Sequence, residues 1–174
     1  MDSRHTLDKL ADALDAWLRR GIGVFAWLGL VLIVAIITQI VLRYAFGEGR
    51  VWLEELQWHL YGVGILTGLG YTTLVDGHVR VDLVHERVSE RIRAWVEVLG
   101  TVLLLWPFIY AVFAHSLPFF VESYALGEDS DAPAGLPYRW IIKGFIPFGF
   151  ALLALTTLPR VLRGLNVLLH PYRP

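Results

Sequence analysis

The sequence has no cysteine, which excludes disulfides, thiolate-held metals and a cysteine nucleophile. Charge is scarce as well: only 18% of residues are Asp, Glu, Lys or Arg, and 15 basic against 16 acidic residues leave no basic field to attract nucleic acid. A Walker phosphate loop, a HExxH zinc helix and a nucleophile elbow are all missing, so the chain offers no catalytic candidates and is not expected to be an enzyme. No internal repeat or low-complexity tract breaks the 174 residues, which read as a single membrane domain, 1–174.

Apolar residues are abundant. They make up 56% of the chain, with a mean hydropathy of +0.55, too apolar for a soluble domain of this size. Stretches from Gly21 to Leu42, Leu56 to Val75, Val98 to Val121 and Gly144 to Pro159 lack Asp, Glu, Lys and Arg. A span of roughly 30 Å of hydrocarbon takes about 20 helical residues. The fourth stretch reaches that length with Trp140 to Ile142 if Lys143 snorkels to the headgroups. Closed barrels need alternating strands that this sequence lacks. The expected fold is therefore an all-α integral membrane protein with four transmembrane helices, at about 21–42, 54–75, 96–120 and 140–161. The long first run, starting well inside the chain, argues against a cleaved signal peptide.

Basic residues set the expected orientation. Arg4, Lys9, Arg19 and Arg20 precede the first span, Arg80, Arg87, Arg91 and Arg93 lie between the second and third, and Arg160, Arg163 and Arg173 follow the fourth. The opposite side holds only Arg43, Arg50, Arg139 and Lys143, alongside acids that include Glu128, Asp129 and Asp131. Both termini are expected to be cytoplasmic. Two amphipathic segments are expected to lie on that surface. One, at about 6–20, carries Leu7, Leu10, Ala11, Leu14, Trp17 and Leu18 at helical spacing. The other, from Asp82 to Trp95, follows a turn where Gly77 can take a positive φ and Asp82 can cap.

Function has few places to reside. Arg43 ends the first span and Glu54 and Glu55 open the second, so an Arg–Glu pair across that hairpin and a snorkelling Arg43 with solvated glutamates are both open. His59 and His115 are expected in the same leaflet, where a facing pair could ligate haem; an interhelical hydrogen bond is the plainer reading. Gly64 and Gly68 form a GxxxG, which points to close helix packing within the bundle or against a partner. Pro107 and Pro147 are expected to bend spans three and four. Trp52, Trp95 and Trp140 read as interfacial anchors. No span carries a buried acid or repeated polar positions for an ion or substrate path. The residues alone describe a small accessory membrane subunit.

Short motifs in a fixed order resemble the small membrane subunit, DctQ-like, of tripartite ATP-independent periplasmic (TRAP) transporters. Arg43-Tyr44-Ala45-Phe46 is similar to that family's RYxF, followed by Glu54-Glu55. Gly77-His78-Val79-Arg80-Val81-Asp82 is similar to its GHxRxD motif, the most specific piece. Glu122-Ser123, Leu136-Pro137 with Trp140, and Ile146-Pro147-Phe148-Gly149 are similar to the remaining landmarks. The resemblance covers about residues 15 to 165.

It implies a bacterial inner-membrane protein, with both termini inside, that braces a large permease subunit while a periplasmic substrate-binding protein delivers an organic anion. Sodium coupling would belong to the large subunit, and this chain would hold no cofactor. Membrane lipids are the remaining expected partner. The resemblance gives Arg43, Tyr44, Phe46, Glu54 and Glu55 the task of holding the external hairpin or touching the large subunit, and gives His78, Arg80 and Asp82 the cytoplasmic bend. The acidic external loop would meet a basic patch on the binding protein or be merely solvated. A bis-histidine haem electron carrier and a self-contained homo-oligomeric exporter are the alternatives.

Overall fold

A computed structural model describes residues 2–77 and 88–169, with residues 2–5 as backbone alone. Regular structure among them is entirely helical. It comprises α1 (Asp2–Gly23), α2 (Trp27–Ala45), α3 (Val51–Leu74), α4 (Glu90–Gly100), α5 (Trp106–Leu126) and α6 (Trp140–Leu169). Three helical stretches, Thr6–Ala45, Glu90–Leu126 and Trp140–Leu169, are long and apolar enough to cross a membrane. The second expected span is not among them. α3 is long enough at 24 residues, but Glu54, Glu55, Gln57, His59, three threonines and several glycines dilute its apolar content.

The two expected surface segments run directly into the spans that follow. α1 does not stop near residue 20; it continues through Gly23, tightens into a 3₁₀ turn at Val24–Ala26 and resumes as α2. Its stripe splits between two environments. Ala11, Leu18 and Ile22 are buried, while Leu10 and Trp17 remain 52% and 67% exposed, because α1 packs along α6 and α3. On the other side, α4 starts at Glu90, capped by Ser89, whose Oγ accepts from the Ile92 amide at 3.4 Å. The expected cap, Asp82, lies outside the described residues, as do His78 and Arg80. α4 passes into α5 through a π turn at Thr101–Leu105. The widened turn stands just ahead of Pro107, which has no N–H to give the ladder.

α3 ends by a left-handed residue, but at a different position from the one expected. Asp76 takes φ of 56°, and the Gly77 amide then donates to the Thr72 carbonyl at 2.9 Å. Asp tolerates this region better than most residues do. It is also held there by Arg160 of α6.

α6 is the central helix: α3, α5, α1 and α4 all pack against it, whereas α2 leans mainly on α3. Small residues make those approaches possible. A Cβ at Gly149 would lie 2.8 Å from the Leu66 Cβ and 3.1 Å from the Leu66 carbonyl oxygen, so α3 and α6 nearly touch backbone to backbone. At Gly164 it would lie 2.6 Å from a Val98 methyl. Thr67, Thr156 and Thr157 are fully buried between the helices. Thr67 Oγ1 returns its proton to the Val63 carbonyl at 2.7 Å, and Thr157 Oγ1 accepts from Trp106 Nε1 at 3.0 Å, which ties α5 to α6. The GxxxG glycines are not at a tight crossing. Nothing lies within 4 Å of a Cβ added at Gly64 or Gly68; both line a recess of about 110 Å³ beside Ile22 and Phe25.

Two substitutions separate these glycines. Gly149→Ala should destabilise the protein by about 1–3 kcal/mol, because the neighbour it meets is backbone. Gly64→Ala should leave stability unchanged or raise it by up to about 1 kcal/mol, through helix propensity alone. Thermal unfolding of both variants in one detergent checks this; equal losses would contradict the packing described.

Candidate functional site

The charged end of the bundle is built from the α2–α3 hairpin and the loop between α5 and α6. Gln39, one of few polar residues in an otherwise apolar helix, is only 7% exposed. Its Nε2 donates to Glu54 Oε1 at 3.0 Å, and its Oε1 accepts from the Arg50 amide at 3.4 Å. One amide thus joins the last turns of α2 to the first turn of α3. Of the two arrangements open to Arg43, the structure shows pairing, with Glu54 at 3.4 Å and side chains 61% and 41% exposed. A pair so open to solvent contributes little; Gln39 is the buried part of the joint. Tyr44 and Phe46 stand out from the bundle, 83% and 69% exposed.

Glu55 faces the opposite way and holds the loop. Its carboxylate accepts from Ser130 Oγ and from the Leu136 amide, the latter at 2.6 Å. Ser130 and Leu136 are bridged in turn, Ser130 N donating to the Leu136 carbonyl at 3.1 Å. A Cβ at Gly135 would collide with Ser130 Oγ and stand 2.8 Å from Glu55 Oε2, so glycine lets the loop close over the carboxylate. Pro137 follows directly, and Tyr138, with φ of 62°, turns the chain into α6 while its amide donates to Asp129 Oδ1 at 2.9 Å.

Glu128 makes the second clasp. Its carboxylate pairs with Lys143 in the first turn of α6 and lies 4.0 Å from Arg139 Nε. The Lys143 hydrogen bond, with the charge of Arg139 behind it, holds the Glu128 carboxyl below its ordinary value of 4.5. Lys143 Nζ also sits 4.0 Å from the centre of the Phe119 ring, so its burial is compensated on two sides. Arg139 reaches Asp131 at 3.0 Å, though Asp131 itself is 97% exposed. Trp140 packs against Tyr124, ring centres 5.2 Å apart, and touches Phe120 and Tyr138. Ser123 is buried at 1% exposure, and its carbonyl accepts from the Glu128 amide at 3.0 Å; the neighbouring Glu122 is exposed. Pro147 is buried within α6, away from this end.

The structure therefore gathers Arg43, Glu54, Glu55, Ser123, Pro137 and Trp140 at one end, and leaves Gly64, Gly68 and Pro147 deeper in the bundle. Gln39, Ser130 and Gly135 complete the end but were not singled out from the sequence, and Lys143, expected to snorkel, pairs with Glu128 instead. For Gln39 the signal was available: an amide in an apolar helix needs a partner. His59 and His115 do not bond to each other. Each has Nδ1 on a carbonyl one turn back in its own helix, at 2.6 Å from Glu55 O and 2.7 Å from Ala111 O. Among the described residues, no cluster of three or more His, Asp or Glu side chains could hold a metal ion. A family model described as "Tripartite ATP-independent periplasmic transporters, DctQ component" matches residues 30–167. No curated protein and no solved structure matches the chain.

Hydrogen exchange tests the two clasps separately. Glu55→Gln should speed exchange of the Leu136 amide severalfold while leaving the α6 amides protected. Because Glu128 is easier to ionise in the folded protein than in the unfolded chain, its contribution is complete above the ordinary carboxylate range and is lost as pH falls through the lowered value. Loop protection should accordingly drop on strong acidification. In Glu128→Gln it should already be reduced at neutral pH and show a smaller acid step, the one left to the Glu55 clasp.

Proposed function

The chain belongs to the DctQ component family of tripartite ATP-independent periplasmic transporters, and on that premise we propose how it serves as the small membrane subunit of such a complex. It crosses the bacterial inner membrane four times with both termini in the cytoplasm and braces a large permease subunit. That larger subunit carries out sodium-driven uptake of an organic anion, which a periplasmic binding protein delivers. The chain's own contribution is mechanical.

The observation that carries this reading is the internal closure of the charged end. Gln39, Glu55 and Glu128 join α2, α3, the loop and α6 through side chains of this one polypeptide, as a fixed brace requires. α3 suits a span despite its modest hydropathy. Thr67, Thr72 and Thr73 bond carbonyls of their own helix, and α3 contacts α6, α2 and α1, so protein shields much of its polar surface. The exposed Tyr44, Phe46 and Arg43 beside this closed end are the groups left to meet the permease. Asp131, almost wholly exposed, is the group offered to the binding protein.

Mild-detergent purification of the tagged chain from its native membrane should retain a large multispan permease in comparable amount. Recovery of this chain alone, as a homo-oligomer or with a haem absorption band, would refute the brace. Topology has its own measurement, made easier by the absence of native cysteine. Glu48→Cys and Asp131→Cys should react with an impermeant maleimide in intact cells, and Arg20→Cys and Arg91→Cys only after the cells are opened. Labelling of Arg91→Cys from outside would mean that α3 does not cross.

A further inference from the structure

At the end of the bundle opposite the clasps, α1, α3, α4 and α6 converge around a polar cavity of about 520 Å³. Four guanidinium groups line it, Arg19 from α1, Arg93 from α4, and Arg160 and Arg163 from α6, together with the carboxylates of Asp15, Asp76 and Glu97. Two of them are matched by acids. Arg163 bonds Asp12, at 2.9 Å, and Asp15, while Arg160 bonds Asp76 and, at 3.2 Å, the Thr73 carbonyl. The other two have no carboxylate partner among the described residues. Arg19 bonds the Leu74 carbonyl, and Arg93 reaches only the Val88 carbonyl, at 3.4 Å. Arg93 Nε is buried with no acceptor at all.

A buried guanidinium N–H without an acceptor is costly, and charge-assisted bonds to an anion recover that cost. Arg19 is held on the wall by α1, and Arg93 by α4 one turn after its Ser89 cap, so both forks are in place before any ligand arrives. We propose that this cavity binds a phosphate group, with Arg19 and Arg93 as its principal ligands. Guanidinium matches phosphate oxygens two at a time, and basic pockets between helices at the cytoplasmic surface meet phosphate at the level of lipid headgroups. The phosphodiester of an anionic phospholipid and free inorganic phosphate share this chemistry. The placement at headgroup level rests on the membrane orientation proposed above.

Native mass spectrometry of the full-length chain, delipidated in detergent, is the test, with phosphatidylglycerol, phosphatidylcholine or inorganic phosphate added. Three forms are compared: the unaltered chain, an Arg19→Gln/Arg93→Gln variant, and an Arg91→Gln control that removes an exposed charge from the same helix. Circular dichroism and a single elution peak establish that each form is folded. If the site takes a lipid headgroup, phosphatidylglycerol adducts should exceed phosphatidylcholine adducts and fall about a hundredfold or more in the double variant, the loss expected when two charge-assisted bonds go, but not in the control. If it takes the free ion, inorganic phosphate should be retained with the same dependence on Arg19 and Arg93, and lipid adducts should show none. Adducts that are absent, or equal in the double variant and the unaltered chain, would overturn the proposal. Failure of the membrane topology is a separate result, because it appears in the cysteine labelling and leaves detergent binding unaffected.

Discussion

α3 and α6 approach so closely at Gly149 that a single methyl group would meet the Leu66 backbone, and the rest of the bundle is arranged around that contact. Between apolar helices in a lipid-like environment, burial of apolar surface gives little net drive, so contact depends on shape and on interhelical hydrogen bonds. The residues at these crossings are accordingly glycine and threonine. With α3 fixed on one side of α6, Trp106 can reach Thr157 from α5 on another, while α1 lies along both helices. Glu55 is also carried to its loop by this placement, since it sits one turn into α3 and its partners lie just before α6.

The two ends of the bundle solve the problem of charge differently. At the end with the α5–α6 loop, carboxylates are surrounded by donors from within the chain: Glu55 by Ser130 and the Leu136 amide, Glu128 by Lys143 and Arg139. At the other end two of the four guanidinium groups, those of Arg19 and Arg93, rest on backbone carbonyls and have no carboxylate partner among the described residues. The first end is closed and self-sufficient. The second keeps a polar cavity in which cations and acids from four helices meet.

Helix content and the helical spacing of α1 were legible in the sequence because each depends on residues near one another in the chain, and for the same reason an Arg–Glu pair across the α2–α3 hairpin could be named as one of two arrangements. What escaped depends on which face the fold selects. Gly64 and Gly68 have the spacing of a packing motif yet face open space, while Gly149, with no such partner in sequence, makes the closest crossing. The closure of the α5–α6 loop was hidden for a related reason. Its order comes from Glu55, which bonds Ser130 from 75 residues away, and no local pattern encodes that partner. At the end of α3 the glycine drew attention, but Asp76 takes the left-handed conformation and its carboxylate meets Arg160. The GHxRxD segment, the most specific part of the family resemblance, lies mostly beyond the described residues.

The central position of α6 has a consequence for how the protein is made. Chains emerge from the ribosome N-terminus first, so the helix against which α1, α3, α4 and α5 all pack is synthesised after all of them. Until it arrives, Thr157 is not there to receive the Trp106 indole, Lys143 cannot neutralise Glu128, and Gly149 offers no groove to Leu66. The joint that Gln39 makes between α2 and α3 can form before α6 is made, whereas the packing of α1, α3, α4 and α5 around one common helix cannot.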